Sequence, residues 1–128
     1  MKGYYGQIEK LTLENSNFRQ VLFTGKKTQL VLMSLKPGEE IGEEVHAQVD
    51  QFFRFEAGEA KVIIDRQEYE VKDGDAVIVP AGSKHNIVNL SSSQDLKLYT
   101  LYSPPNHPDG TVHKTKAEAD EAEAHELH

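Results

Sequence analysis

From about Phe18 to Tyr102 the chain is a succession of short β-favouring runs, each closed by Gly, Pro, Asp or Asn. This pattern constrains the fold more than any other feature. The runs are Arg19–Thr24, Gln29–Leu35, Glu43–Ala47, Gln51–Glu56, Ala60–Ile64, Glu68–Val71, Ala76–Val79, Asn86–Asn89 and Leu96–Leu101. Their spacing is that of an all-β sandwich or barrel. Between them, Lys36-Pro37-Gly38, Ala57-Gly58, Asp65-Arg66, Lys72-Asp73-Gly74-Asp75 and Pro80-Ala81-Gly82 supply residues that fix φ or tolerate positive φ. Strands this short have no independent stability, so they must close on one another around a shared core.

A chain of 128 residues is long enough for one such core and hardly for two. It has no Cys, which excludes disulfides, thiolate zinc sites, iron–sulfur clusters and a cysteine nucleophile; any metal must sit on His, carboxylate or amide ligands. Fourteen Lys and Arg stand against 21 Asp and Glu, a net charge of -7, with the basic residues scattered. This argues against nucleic acid and anionic membranes, which require clustered cations. The longest apolar runs, Leu30–Met33 and Ala76–Val79, have four residues each, far short of a bilayer span. Nothing at the start of the chain resembles a signal peptide, and a cytoplasmic location is expected. Residues 1–17 carry a brief alternation at Ile8, Leu11 and Leu13 and are expected to form an outer strand. After Tyr102, Ser103-Pro104-Pro105-Asn106-His107-Pro108-Asp109-Gly110 reads as a lid segment without regular structure. Lys116 to Leu127 is rich in Ala and Glu and reads as a solvated polar helix or frayed tail, the alternative being a helix docked on a partner subunit. Thr111 to His128 holds two Lys and five acidic residues, so -3 of the -7 lies in this tail.

Two stretches carry the chemistry. Gly74, Pro80, Gly82, His85 and Asn89 fit the spacing G-x5-P-x-G-x2-H-x3-N; Gly38, Glu44, His46, Gln51 and Gly58 fit G-x5-H-x-H-x3-4-E-x6-G, with Glu44 in place of its first His and Gln51 in place of its Glu. Together they resemble the two motifs of the cupin superfamily, and the resemblance covers residues ~28 to 102. It implies a small antiparallel β-barrel of the jelly-roll, double-stranded β-helix type, with one divalent metal at its mouth on Glu44, His46, Gln51 and His85. Residue parity agrees with that set. Positions 44 and 46 lie two apart on a strand and share a face. Gln51 shares a face with Phe53 and Phe55, whereas Asp50 shares one with Arg54 and Glu56, so the apolar, barrel-facing side carries Gln51. Phe52 then points outward, which suggests a dimer contact. Two His, one carboxylate and one amide around a divalent ion leave a net charge of roughly +1, the same as three His and one carboxylate. The extra oxygen ligand favours Mn or Fe modestly and leaves Zn and Ni possible.

The ligand inventory is similar to that of cupin-type mannose-6-phosphate isomerases, which implies aldose–ketose isomerisation of a sugar or sugar phosphate. The metal would act as a Lewis acid while a base moves a proton between neighbouring carbons. Candidates for that base are Glu44, if it is not coordinating, and His107, if the Pro-rich segment closes over the mouth. Phe53, Phe55, Lys84 and Tyr99 are candidates for substrate contact, Lys84 being the nearest cation to His85 in sequence; Phe23, Phe53, Phe55, Tyr99 and Tyr102 fit barrel packing as well. His113, His125 and His128 read as surface residues. Two alternatives stand beside the isomerase. His46, His85 and Glu44 compose the two-His, one-carboxylate set of non-haem Fe(II) dioxygenases. A barrel that binds a small molecule or sugar without catalysis is the other. The resemblance also implies a homodimer, which would protect open strand edges.

Overall fold

The structure, a computed structural model, describes residues 2–126, the side chains of residues 125 and 126 excepted. All nine expected strands form. In chain order they are β1 (Arg19–Thr24), β2 (Gln29–Leu35), β3 (Glu44–Val45), β4 (Asp50–Ala57), β5 (Glu59–Ile64), β6 (Gln67–Lys72), β7 (Ala76–Val79), β8 (Lys84–Asn89) and β9 (Leu96–Ser103). A tenth, β10 (Val112–His113), lies just beyond the Pro-rich segment, where no strand was expected, and two helices, α1 (Ile8–Glu14) and α2 (Lys116–Glu126), flank the barrel strands. The strands pair antiparallel in two sheets, ordered β10-β1-β2-β9-β4-β7 and β3-β8-β5-β6.

Alternation decides what each sheet turns inward. On β9 the buried residues are Leu96, Leu98, Thr100 and Tyr102; on β4 they are Gln51, Phe53 and Phe55. From the facing sheet Ala60, Val62, Val71 and Ile87 complete one core with Val31, Met33 and Leu35 of β2. Each large apolar side chain buried here contributes about 1.5–3 kcal/mol. The motif residues outside the ligand set hold this frame. Gly82, at φ +88°, donates its N–H to the His46 carbonyl at 2.9 Å and so ties the second motif to the first. The Asn89 amide donates to the carbonyls of Leu35, Lys36 and Gln94 at 2.9–3.1 Å.

The N-terminal expectation is corrected: residues 8–14 are a helix, not an outer strand. Ile8 and Leu11 are three apart, a helical spacing, and Thr12, one helical turn beyond Ile8, is the fully buried residue, its hydroxyl donating to the Ile8 carbonyl at 2.6 Å. The helix packs on the outer face of β2, β4 and β9, where Lys97 Nζ reaches the Asn15 carbonyl and Ser34 Oγ.

At the C-terminus the irregular Pro-rich segment and the polar helix form as expected. Buried Gln29 clamps the Pro-rich segment: its Oε1 accepts from the N–H groups of Asn106 and His107 at 3.1 and 3.0 Å, and its Nε2 donates to the His107 carbonyl at 2.8 Å. The chain then turns through Asp109-Gly110 into β10, which pairs with β1. The helix α2 is no frayed tail. Thr115 Oγ1 accepts from the Glu118 N–H at 3.1 Å while Glu118 Oε2 accepts from the Thr115 N–H at 3.3 Å, a capping box. Ala119 is buried within the core of this same chain.

Candidate metal centre

The register of β3 on β8 sets Glu44 directly opposite His85, so both side chains leave the same face of that sheet. His46 follows at the end of the short strand, two residues on. Together Glu44, His46 and His85 offer ligand atoms that all lie within 4.8 Å of one another. Glu44 Oε2 is 3.5 Å from His46 Nε2, and the two imidazole rings are 5.4 Å apart between centroids. Gln51 enters from β4 in the other sheet, buried as its parity requires. Its Nε2 donates to Thr100 Oγ1 at 3.0 Å, which leaves Oε1 turned to the interior. Asp50 is exposed and accepts from the Ala81 N–H at 2.8 Å, a structural task away from the cluster.

The donor chemistry fits a divalent cation. His46 Nε2 and Gln51 Oε1 are buried with no hydrogen-bond partner among the described residues, a condition that a bound cation relieves. His85 Nδ1 lies 3.2 Å from the Ser83 carbonyl, which selects the Nδ1–H tautomer and frees the Nε2 lone pair. Burial raises the pKa of Glu44, partly offset by the positive charge of Arg19. Burial lowers that of His46, and neighbouring His85 and Arg19 act in the same direction. The His46 shift favours the neutral imidazole that a metal requires, and the Glu44 shift reflects a buried carboxylate whose charge a cation would offset.

The family described as "Cupin domain" matches residues 31–102, a span that contains both motifs and all four residues. The chain belongs to the cupin family. It is 46% identical to the uncharacterized protein YrkC of Bacillus subtilis, over 95% of this chain and 68% of that protein, and 40% identical to the uncharacterized protein L612 of Acanthamoeba polyphaga mimivirus, over 85% and 70%. The crystal structure of BH2720 from Bacillus halodurans is similar at a TM-score of 0.90 and 44% identity, covering 94% of this chain and 95% of that one.

The surroundings of this cupin centre were only partly foreseen. Phe53 lines it, 6.2 Å from the His85 ring, and Phe55 stacks behind Phe53 at 6.4 Å. Lys84 and Tyr99 lie elsewhere. Lys84 alternates to the outside beside His85 and is ion-paired with Glu43 at 2.8 Å; Tyr99 is on the outer face of the large sheet, 6.2 Å from Phe52. Phe23 also packs away from the ligand cluster, against Tyr4. His107 is folded over the barrel as expected of the best lid candidate: its Nε2 is 3.2 Å from the Tyr102 hydroxyl, and Tyr102 in turn stands edge-on to His46 at 5.9 Å. Burial pushes the His107 pKa down to about 3 and raises that of the Tyr102 phenol. His113 sits half-buried on β10, not on the surface; His128 and the side chain of His125 are outside the described part. A surface concavity of about 590 Å³ beside α1 holds none of the ligand residues.

One inward residue was missed altogether. Arg19, 1% exposed, opens β1 facing the barrel interior, and its charge acts on Glu44, His46, Tyr102 and His107. The signal was available: in the run Arg19–Thr24, parity puts position 19 on the same face as Val21.

Proposed function

We propose that this cupin is a divalent-metal-dependent enzyme acting on a small oxygen-rich molecule, with Glu44, His46, Gln51 and His85 as its ligand set. The observation that carries this is the convergence of Glu44, His46 and His85, with His46 Nε2 and, from the other sheet, Gln51 Oε1 buried without a hydrogen-bond partner among the described residues. A bound divalent ion supplies Lewis-acid polarisation of a carbonyl or hydroxyl oxygen. The remaining tasks fall to the chain. Phe53 and Phe55 keep the interior dry on one side, and Tyr102 holds a phenolic proton beside Gln51 and His46. His107, neutral at physiological pH, hydrogen-bonds that hydroxyl and completes a path by which a proton is taken up or released.

Proton transfer between oxygen-bearing carbons, an aldose–ketose type of isomerisation, is the reading this pair favours. Its sugar-phosphate form has less support, because Lys84 faces outward in an ion pair with Glu43 and clamps nothing inside. A second reading, an Fe(II) dioxygenase, is favoured by the identity of the three converging groups, two His and one carboxylate. We further take the protein to act as a homodimer in the cytoplasm; no described helix is long and apolar enough to cross a membrane.

Metal analysis of protein purified without added metal, followed by two assays, separates the readings. Deuterium exchange at C2 of aldoses in deuterated buffer, with bound Zn, Mn or Ni, supports isomerisation. Stoichiometric iron with oxygen uptake supports the dioxygenase. Metal-free protein whose stability does not respond to added metal rejects the centre itself.

A further inference from the structure

A buried guanidinium whose Nε has no partner among the described residues stands beside the candidate centre. Arg19 is in register with Met33 on β2 and His113 on β10, on the inward side of the sheet that also carries Gln51 and Tyr102. It is 1% exposed, yet Nη1 lies 3.4 Å from His113 Nδ1 and 3.7 Å from Glu123 Oε1, the guanidinium carbon lies 5.4 Å from the Phe18 ring centroid, and Nε has no partner among the described residues. A guanidinium offers five donors in a planar fork, and burying it underfilled is costly unless an anion completes the set. Glu123 belongs to α2, whose buried and half-buried apolar residues among those with described side chains are the small Ala119 and Ala122.

We infer that Arg19 is the anion-recognising group of the barrel interior, that its ligand is a small carboxylate, and that α2 is a lid whose Glu123 stands in that carboxylate's place. The fork geometry of Arg19 matches a carboxylate bidentately, which Glu123 at 3.7 Å does not achieve. Lys116, the other cation whose charge reaches Glu44, is ion-paired with Asp120 at 3.0 Å. One guanidinium therefore remains, and its fork takes a single carboxylate group, the second carboxylate of a ligand such as malonate facing the metal centre, better than it takes a phosphate dianion. For a ligand to reach a side chain this enclosed, α2 must swing aside; Glu123 then loses Arg19 and the ligand gains it. The ligand's remaining oxygens face Glu44, His46, Gln51 and His85, and in that respect the inference rests on the metal-centre reading.

The test is calorimetric titration of the full chain with malonate, its uncharged analogue malonamide and orthophosphate, with and without bound Mn²⁺. Wild-type protein is expected to bind malonate in preference to malonamide and orthophosphate. Glu123→Gln removes the competing carboxylate and should tighten malonate several-fold, and Arg19→Gln should weaken it by about tenfold or more while Mn²⁺ uptake persists. Malonate binding unchanged in Arg19→Gln, no tightening in Glu123→Gln, or orthophosphate bound as tightly as malonate overturns the inference. Should Arg19→Gln fail to fold, Glu123→Gln and the malonamide comparison still decide. Failure of the metal reading is seen separately: wild type and His85→Ala would then be alike in taking up no Mn²⁺, while the metal-free malonate series still reports on Arg19.

Discussion

At the scale of single residues, neighbouring positions of one strand do opposite work. Gln51 turns its amide into the barrel and Asp50 turns its carboxylate to the Ala81 N–H. Gln51→Leu should therefore weaken metal binding by about 10–100-fold, comparable to losing a group that orients a metal ligand. Asp50→Ala should leave metal affinity alone and lower stability by about 1 kcal/mol. Metal titration and urea unfolding of both variants check this; the reverse pattern would put the ligand at position 50. His107 gives a pH prediction. Burial holds its folded pKa at about 3, below the value of 6.5 for an unperturbed His. Between those values the unfolded chain binds a proton that the folded chain refuses, so stability falls as pH drops below about 6.5 and this loss ends near 3. The difference in urea midpoint between pH 7 and pH 4.5 should shrink in His107→Gln, and an unaltered difference would mean that His107 is not held neutral by burial.

Among the elements, the barrel strands were legible because alternation is local: the run Gln51 to Phe55 shows its buried face without knowledge of what lies opposite. Helix α1 was misread for a related reason. Leu11 and Leu13 do alternate, but Ile8 breaks that period, and the buried residue, Thr12, is not apolar. Strand β10 has two residues and no pattern to read; it exists because β1 offers an open edge. For α2 the start signal, Thr115 and Glu118 at capping-box spacing, stands in the sequence, while its docking does not, since an alanine stripe looks the same against water and against a core. Thr115→Ala should cost about 1 kcal/mol of local stability. Faster amide exchange confined to α2, with the barrel strands unchanged, is the expected readout; uniform acceleration would mean that α2 and barrel unfold as one unit.

For the whole molecule, Glu44 and His85 belong to one sheet and Gln51 to the other, so a metal held by all of them would join the two. A ligand present at 100 times its Kd stabilises the native state by about 2.7 kcal/mol. Chelation should therefore lower the melting temperature, and added metal should restore it; His85→Ala should be insensitive to both. A homodimer is expected by size-exclusion chromatography with light scattering, and a monomer at all accessible concentrations would reject it. The amino-acid sequence by itself determined the β architecture, the inward parity of Gln51, Phe53 and Phe55, and the spacing that names Glu44, His46 and His85. The architecture and the parity follow from periods of two and from turn residues, which act between near neighbours along the chain, while the spacing is read through its resemblance to the cupin motifs. Only the tertiary structure decided that Gln29 clamps His107 beside Tyr102, that Arg19 is buried, and that Glu123 lies 3.7 Å from it. Those pairings join opposite ends of the chain, and no local periodicity carries information across such a separation; closure of the barrel and docking of α2 create them.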